Sequence, residues 1–240
     1  MFTFGGPATR AVKTIIIANV AVFVLQIFSG LIVPGALEYY FGLKPALITQ
    51  GFMIWQFATY MFLHGGIFHI LFNMLMLYMF GSDLERYWGT RRFVLYYFIT
   101  GVGAGICSWI VGINSPFTTI GASGAIYGLL LAYGLTYPNR TVLFFFLFPI
   151  KMKWMVLIMG AIAFLSSVGG SGDGVAHIAH LGGMLVGYAY LRGRNWQSVF
   201  SDFEARRQRE KLKRQFEVYY GEIRRKIDEE NDDKKGPTIH

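Results

Sequence analysis

The chain has 240 residues, of which 54% are hydrophobic and 15% charged, against about 25% charged in an ordinary soluble domain. That composition argues against a water-soluble globule. Charge is also unevenly spread: residues 1–191 hold nine Lys/Arg and four Asp/Glu, while residues 192–240 hold thirteen and ten. The net charge of +8 does not point to nucleic acid, because much of the surplus flanks apolar runs, where basic residues set membrane orientation. The single cysteine, Cys107, excludes an intramolecular disulfide framework and a cysteine-built zinc site. It reads as a small apolar residue of a helix.

Two parts are therefore expected, an apolar body over 1–191 and a charged tail over 192–240. In chain order, Arg10 and Lys13 precede the apolar run 14–33. The charge order is that of a signal peptide, but the run is too long and no small-residue cleavage site follows, so it reads as a retained first membrane helix. Pro34 to Trp55 forms a long connection carrying Tyr39, Tyr40, Phe41, Phe52 and Trp55. Such aromatics favour the headgroup level, and the loop is expected to lie partly in the membrane. Further spans follow at 63–81, 93–112, 122–137, 149–167 and 174–191, each near the length a bilayer requires. Thr141 to Phe148 reads as an interfacial segment, with Lys151 and Lys153 snorkelling at the start of the fifth span.

With the N-terminus in the cytoplasm, this six-span layout puts 21 of the 22 basic residues on the inner side and only Lys44 outside, the asymmetry expected of a cytoplasmic face. The tail from Asn195 to Asp233 has helix-forming composition with sparse apolar positions, Phe203, Leu212, Phe216, Tyr219 and Ile223. It reads as a solvated cytoplasmic helix with some attraction to anionic lipid.

Polar side chains inside hydrocarbon are costly, so each becomes a functional candidate. They are His64, His69 and Asn73 in the second span, Ser123 at the start of the fourth, and His177 and His180 in the sixth. Asn19 and Gln26 in the first span read as interhelical glue. Taken alone, Ser123 in Gly121-Ala-Ser-Gly124 could be a helix cap. The sixth span changes the balance: His180 shares a helical face with Gly183 and Gly187, and the fourth span answers with Gly124 and Gly128. Small residues at that spacing let helix backbones approach closely, which would bring Ser123 and His180 together as nucleophile and base. No carboxylate is placed to orient the base, since Asp173 and Glu85 lie at span ends, so any such chemistry uses a dyad. Tyr127, one turn from Ser123, could pack on the imidazole. His69 and Asn73, at i and i+4, could both donate to a developing oxyanion. A metal reading of His64/His69 and His177/His180 lacks the HExxH arrangement and any acidic ligand. No cofactor is expected.

The segments His64-Gly-Gly-Ile-Phe-His69-Ile-Leu-Phe-Asn73, Gly121-Ala-Ser123-Gly-Ala-Ile-Tyr127-Gly and Ala179-His180-Leu-Gly-Gly183-Met-Leu-Val-Gly187 together resemble the rhomboid family of intramembrane serine proteases in its six-span bacterial form. The resemblance covers about residues 14–191 and leaves the tail outside. It implies an all-α membrane protein, a six-helix bundle with an outer membrane-associated loop, embedded in a bacterial inner membrane with both termini cytoplasmic. It implies an endopeptidase cutting transmembrane or membrane-adjacent segments of other membrane proteins. By the same resemblance Ser123 is the nucleophile, His180 the base and then acid, and His69, Asn73 and the Ser123 amide the oxyanion donors. Tyr127 is the aromatic on the histidine, and Glu85 a structural anchor; His177 takes no step. One departure stands out: the family's Trp-Arg pair in the outer loop is Trp55-Gln56 here. The competing readings are a catalytically silent relative, which would lose Ser123 or His180, and a small transporter, which would show inverted repeats or mid-membrane acids.

Overall fold

The computed structural model describes residues 6–144, 147–168 and 174–193, and in the tail residues 212, 216–217, 219–221 and 223–225. The chain divides into two compact units, Met1–Gly193 and Arg194–His240.

The first unit is a helical bundle. α1 (Arg10–Ile32) leads into two short helices of the long connection, α2 (Ala36–Phe41) and α3 (Pro45–Gly51), and then α4 (Gln56–Thr59). α5 (Ile67–Met76) continues through a π-helical stretch, Leu77–Gly81, into α6 (Ser82–Trp88), and α7 (Thr90–Val111) follows. α8 (Ser123–Thr136), α9 (Met152–Val168) and α10 (Gly174–Gly193) complete the unit. Among the described residues, three helices are long and apolar enough to cross a membrane: Arg10–Ile32, the continuous Ile67–Trp88, and Thr90–Val111. α8 and α9 are shorter apolar helices. Their lipid-facing sides carry exposed apolar residues such as Phe28, Leu31, Phe68, Ile110, Leu157 and Leu165, the inverse of a water-soluble surface.

Contrary to the all-α expectation, the run expected to be interfacial contributes to a two-stranded antiparallel hairpin, β1 (Thr141–Phe144) and β2 (Phe148–Lys151), in the register Thr141↔Lys151 to Phe144↔Phe148. The fifth helix accordingly begins at Met152 rather than 149, where the Met152 amide donates to the Arg140 carbonyl over 2.8 Å. β-branched and aromatic residues favour a pleated strand, and Pro149, which has no amide hydrogen, is tolerated on so small a sheet.

Helix contacts depend on small residues. A Cβ at Gly183 would overlap the Gly124 carbonyl, so α10 rests directly on the α8 backbone. The other glycines of the expected α8–α10 seam face α7 instead: a Cβ at Gly124 would lie 2.6 Å from the Ala104 Cβ, one at Gly128 would lie 2.7 Å from the Thr100 Cβ, and one at Gly187 would meet the Tyr96 hydroxyl. Spacing fixes which face a glycine occupies but not which helix covers it, and α7 packs into the angle between α8 and α10. Cys107 does sit in a helix, its Cβ 2.6 Å from where a Cβ on Gly182 would stand.

The end of the bundle remote from Ser123 is tied by carboxylates. Glu85, 4% exposed, accepts from the amides of Ala11 and Val12 at 3.0 Å each, from the Thr90 hydroxyl at 2.7 Å and from the Thr9 hydroxyl. First-turn amides of a helix have no partner within it; here another helix supplies one, which is the anchoring role anticipated for Glu85. Asp83 accepts from Arg86 at 3.0 Å, Arg140 at 2.8 Å and the Tyr133 hydroxyl at 2.9 Å, joining α6 to α8 and to the start of the hairpin.

At the opposite end the long connection is held by Gln56. Its side chain is fully buried, accepts from the Lys44 amide at 3.0 Å and donates to the Tyr39 carbonyl at 3.1 Å, while the Trp55 indole donates to the Tyr40 carbonyl at 2.8 Å. The Trp55-Gln56 pair thus anchors the loop through backbone groups without an arginine. Tyr39, Tyr40, Phe41, Phe52 and Trp55 are all exposed. In the tail, residues 212, 216–217, 219–221 and 223–225 are helical; Asn195, Phe203 and Asp233 lie outside the described residues, as does Asp173 of the connection before α10.

Candidate active site

Ser123 is the first residue of α8, and the segment before it is fixed from two sides. Leu43 and Thr119 exchange backbone hydrogen bonds of 2.9 and 2.8 Å, and the Gly121 amide donates to the Tyr60 carbonyl at 2.9 Å. Tyr60 is in turn held by its hydroxyl, which donates to the Gly101 carbonyl over 2.7 Å. Gly121 adopts φ +122°, a conformation that L side chains avoid, and a Cβ there would stand 2.8 Å from His69 Nε2. Glycine at 121 therefore does two things: it allows the turn into α8 and it leaves room for the His69 ring beside the serine.

Close contact of Gly183 with Gly124 brings α10 against α8 one residue beyond Ser123, and His180, one turn before Gly183, meets the hydroxyl. His180 Nε2 lies 2.7 Å from Ser123 Oγ, inside the range of a well-formed hydrogen bond. The Tyr127 ring stacks on the His180 imidazole with centroids 4.3 Å apart and planes 2° from parallel, limiting rotation of the ring. Nδ1 of His180 is buried and has no hydrogen-bond partner among the described residues, so the pair stands without a described third member. His177 makes an edge contact with His180, centroids 5.8 Å apart.

His69 and Asn73 are on one face of α5, as their spacing anticipates. His69 Nδ1 accepts from the Gly65 amide at 3.2 Å, which assigns the ring proton of the neutral imidazole to Nε2, the nitrogen beside Gly121. Asn73 Nδ2 donates to the His69 carbonyl at 2.7 Å, leaving its second hydrogen free of that bond. His64, 2% exposed, stands edge-on to His69 with centroids 5.1 Å apart, and neither of its ring nitrogens has a partner among the described residues. Its amide donates to the Gln26 side-chain Oε1 at 2.9 Å, and Gln26 Nε2 also donates to Glu38 at 2.7 Å, so Gln26 does join α1 to its neighbours. Asn19 instead donates to its own helix, at the Ile15 carbonyl over 2.8 Å.

A cavity of about 260 Å³ opens beside the pair, running from Ser123, Asn73 and Tyr127 past Phe72, Met76 and Leu130 to Leu143 and Phe144 of the hairpin. Apart from its Ser123 end, its walls are apolar. Among the described residues no group of three His, Cys, Asp or Glu side chains is gathered that could hold a metal ion.

Ser123, His180, Tyr127, His69 and Asn73 were legible in the sequence as candidates, whereas the side chains that hold them and the apolar ones that line the cavity were not. Gln56 stood out only as a departure from a motif. Tyr60 and Gly65 meet the site through backbone atoms, which leave little trace in residue type, although the Tyr60 hydroxyl fixes its own position.

A bundle of long apolar helices defines a multi-pass membrane protein, and within it a serine and a histidine stand in hydrogen-bond contact. The profile of the rhomboid domain matches residues 51–194, and the chain belongs to the rhomboid family. Among its relatives, it is 33% identical over 168 residues to Rhomboid protease GluP of Bacillus subtilis (strain 168), covering 69% of this chain and 31% of that protein. It is 34% identical over 168 residues to Rhomboid-like protein 11, chloroplastic, of Arabidopsis thaliana, covering 61% and 55%. To RHOMBOID-like protein 1 of the same plant it is 31% identical over 163 residues, covering 65% and 39%. The chain thus matches between about a third and a little over half of each of these relatives' lengths.

Proposed function

We propose that the chain is an intramembrane serine endopeptidase that cuts transmembrane or membrane-adjacent segments of other membrane proteins with a Ser123–His180 dyad. The observation that carries this reading is the 2.7 Å approach of His180 Nε2 to Ser123 Oγ beneath a stacked Tyr127. The family assignment and a relative named as a rhomboid protease support it.

Ser123 Oγ attacks the scissile carbonyl carbon as its proton passes to His180 Nε2. The negative charge that develops on the carbonyl oxygen is met by His69 Nε2–H, Asn73 Nδ2–H and the Ser123 amide, which as a first-turn group has no partner within α8. Collapse of the tetrahedral intermediate breaks the C–N bond, and the imidazolium returns its proton to the leaving amine. Water, deprotonated by His180, then attacks the acyl ester and releases the new carboxyl terminus and the serine. A helical substrate hides its carbonyls in i to i−4 hydrogen bonds, so the segment unwinds before attack, and Gly or Pro near the cut favours it.

Six spans carry this chemistry, over the domain 1–191, with 192–240 as a cytoplasmic appendage. The chain sits in a bacterial inner membrane, both termini inside, as the sidedness of its basic residues supports. α8 has 14 residues, about 21 Å of helix against a hydrocarbon core of about 30 Å. A helix that short, anchored at the Arg140 end, starts below the opposite surface, so Ser123 works within the membrane yet within reach of water.

The test is cleavage of a single-span substrate by purified protein in liposomes. Ser123→Ala and His180→Ala are each expected to lower the rate by about 10³-fold or more at unchanged thermal stability. Cleavage by Ser123→Ala at the unmodified rate overturns the proposal.

A further inference from the structure

The tail takes no part in the chemistry above, yet its residues are ordered by a pattern of their own. Leu212, Phe216, Tyr219, Tyr220 and Ile223 are all helical and all exposed, and the Phe216 and Tyr220 rings stack with centroids 5.8 Å apart. At 3.6 residues per turn these five fall within an arc of about 100°, and Ile227 continues the spacing in the sequence. Charge is segregated along the same stretch. Residues 205–226 carry nine Lys/Arg and three Asp/Glu, whereas residues 228–233 carry five Asp/Glu and no Lys/Arg.

A narrow apolar stripe rich in aromatics, within a strongly basic segment, is the composition of a helix that lies in a lipid headgroup layer. Tyrosines suit that depth because one end of each ring is apolar and the other wet. A second copy of the tail is a poorer occupant, since residues 212–225 carry four Lys/Arg against two Asp/Glu and two such segments repel. The partner with the opposite charge is also the nearest one. Leu212 lies 19 residues beyond Gly193, the end of a helix of the apolar body, so the tail is tethered to a membrane at high effective concentration.

We propose that the apolar stripe of Leu212, Phe216, Tyr219, Tyr220 and Ile223 docks inward on an anionic phospholipid leaflet of the membrane that holds the chain, with the acidic run 228–233 of the sequence setting the limit of the basic segment. The proposal rests on the embedding of the first unit in a membrane and not on its peptidase activity, so the two stand or fall separately.

The full chain, one copy per lipid nanodisc, is compared in phosphatidylcholine alone and with about one third phosphatidylglycerol, a composition that provides a negative surface. Amide hydrogen exchange across 212–225 is expected to slow about tenfold in the anionic discs, and 1 M salt, which shortens the Debye length to about 3 Å, is expected to remove most of that slowing. Phe216→Asp with Tyr220→Asp should abolish it, and the helix-tolerant pair Arg224→Gln with Arg225→Gln should weaken it, with exchange in α7 unchanged throughout. Equal exchange in the two lipids overturns the proposal. So does slowing that appears only when two copies share a disc, or that persists in the doubly acidic variant.

Discussion

The two ends of the bundle treat their ionisable side chains in opposite ways. At the Glu85 end every carboxylate oxygen is in use: Glu85 accepts from four donors and Asp83 from three. At the Ser123 end, His180 Nδ1 and both ring nitrogens of His64 have no partner among the described residues. Burying a polar group without a partner costs free energy, and a sequence tolerates that where something else is gained. The saturated carboxylates are where the bundle is fastened, and the unpartnered imidazoles stand at the end where we propose that a substrate is met.

The largest effect that would sharpen this contrast comes from the donors on α5. Asn73→Ala is expected to lower kcat by about 10²–10³-fold with little change in thermal stability; a large fall in stability with normal turnover would move Asn73 to the structural side. Next comes the contact that joins the dyad. Gly183→Ala must push α10 off the Gly124 carbonyl, and a displacement near 1 Å is expected to cost about 10²-fold in cleavage, read in the same liposome assay. At the fastening end the ranking of effects inverts: Glu85→Ala, which strands two α1 amides and two hydroxyls, is expected to cost about 2 kcal/mol of stability. It should show as a lower unfolding temperature in detergent, with the activity of the folded fraction retained. The smallest effect is assigned to His177→Ala, which removes only an edge contact with His180 and is expected to change cleavage by no more than about threefold, within the reach of a surface substitution. A loss as deep as that of His180→Ala would mean that the wrong histidine was taken as the base.

Most of the candidate site was legible because polar residues in an apolar chain are rare enough to be read one by one. Ser123, His180, His69, Asn73 and Tyr127 stand together because spacing along a helix fixes a face, and small residues fix where backbones can touch. What spacing omits is the identity of the neighbour. Gly128 and Gly187 occupy the expected faces, yet α7 covers both. The hairpin at 141–151 escaped for a different reason: in a run such as Thr-Val-Leu-Phe-Phe-Phe-Leu-Phe, every residue suits a strand and a membrane interface equally. Gln56 was legible as an anomaly and not as an anchor, since its hydrogen bonds go to main-chain atoms of residues 12 to 17 positions away.

That hairpin bears on a conflict inherent in hydrolysis within a membrane. A serine that forms an ester must be reached by water, whereas a bilayer that stores an ion gradient must offer no wet passage from face to face. The cavity beside Ser123 ends among Leu143, Phe144 and the methionines of α5, the π-helical stretch and α9. Walls so apolar are inhospitable to a chain of waters, so a peptidase of the proposed kind admits a reactant here without becoming a leak.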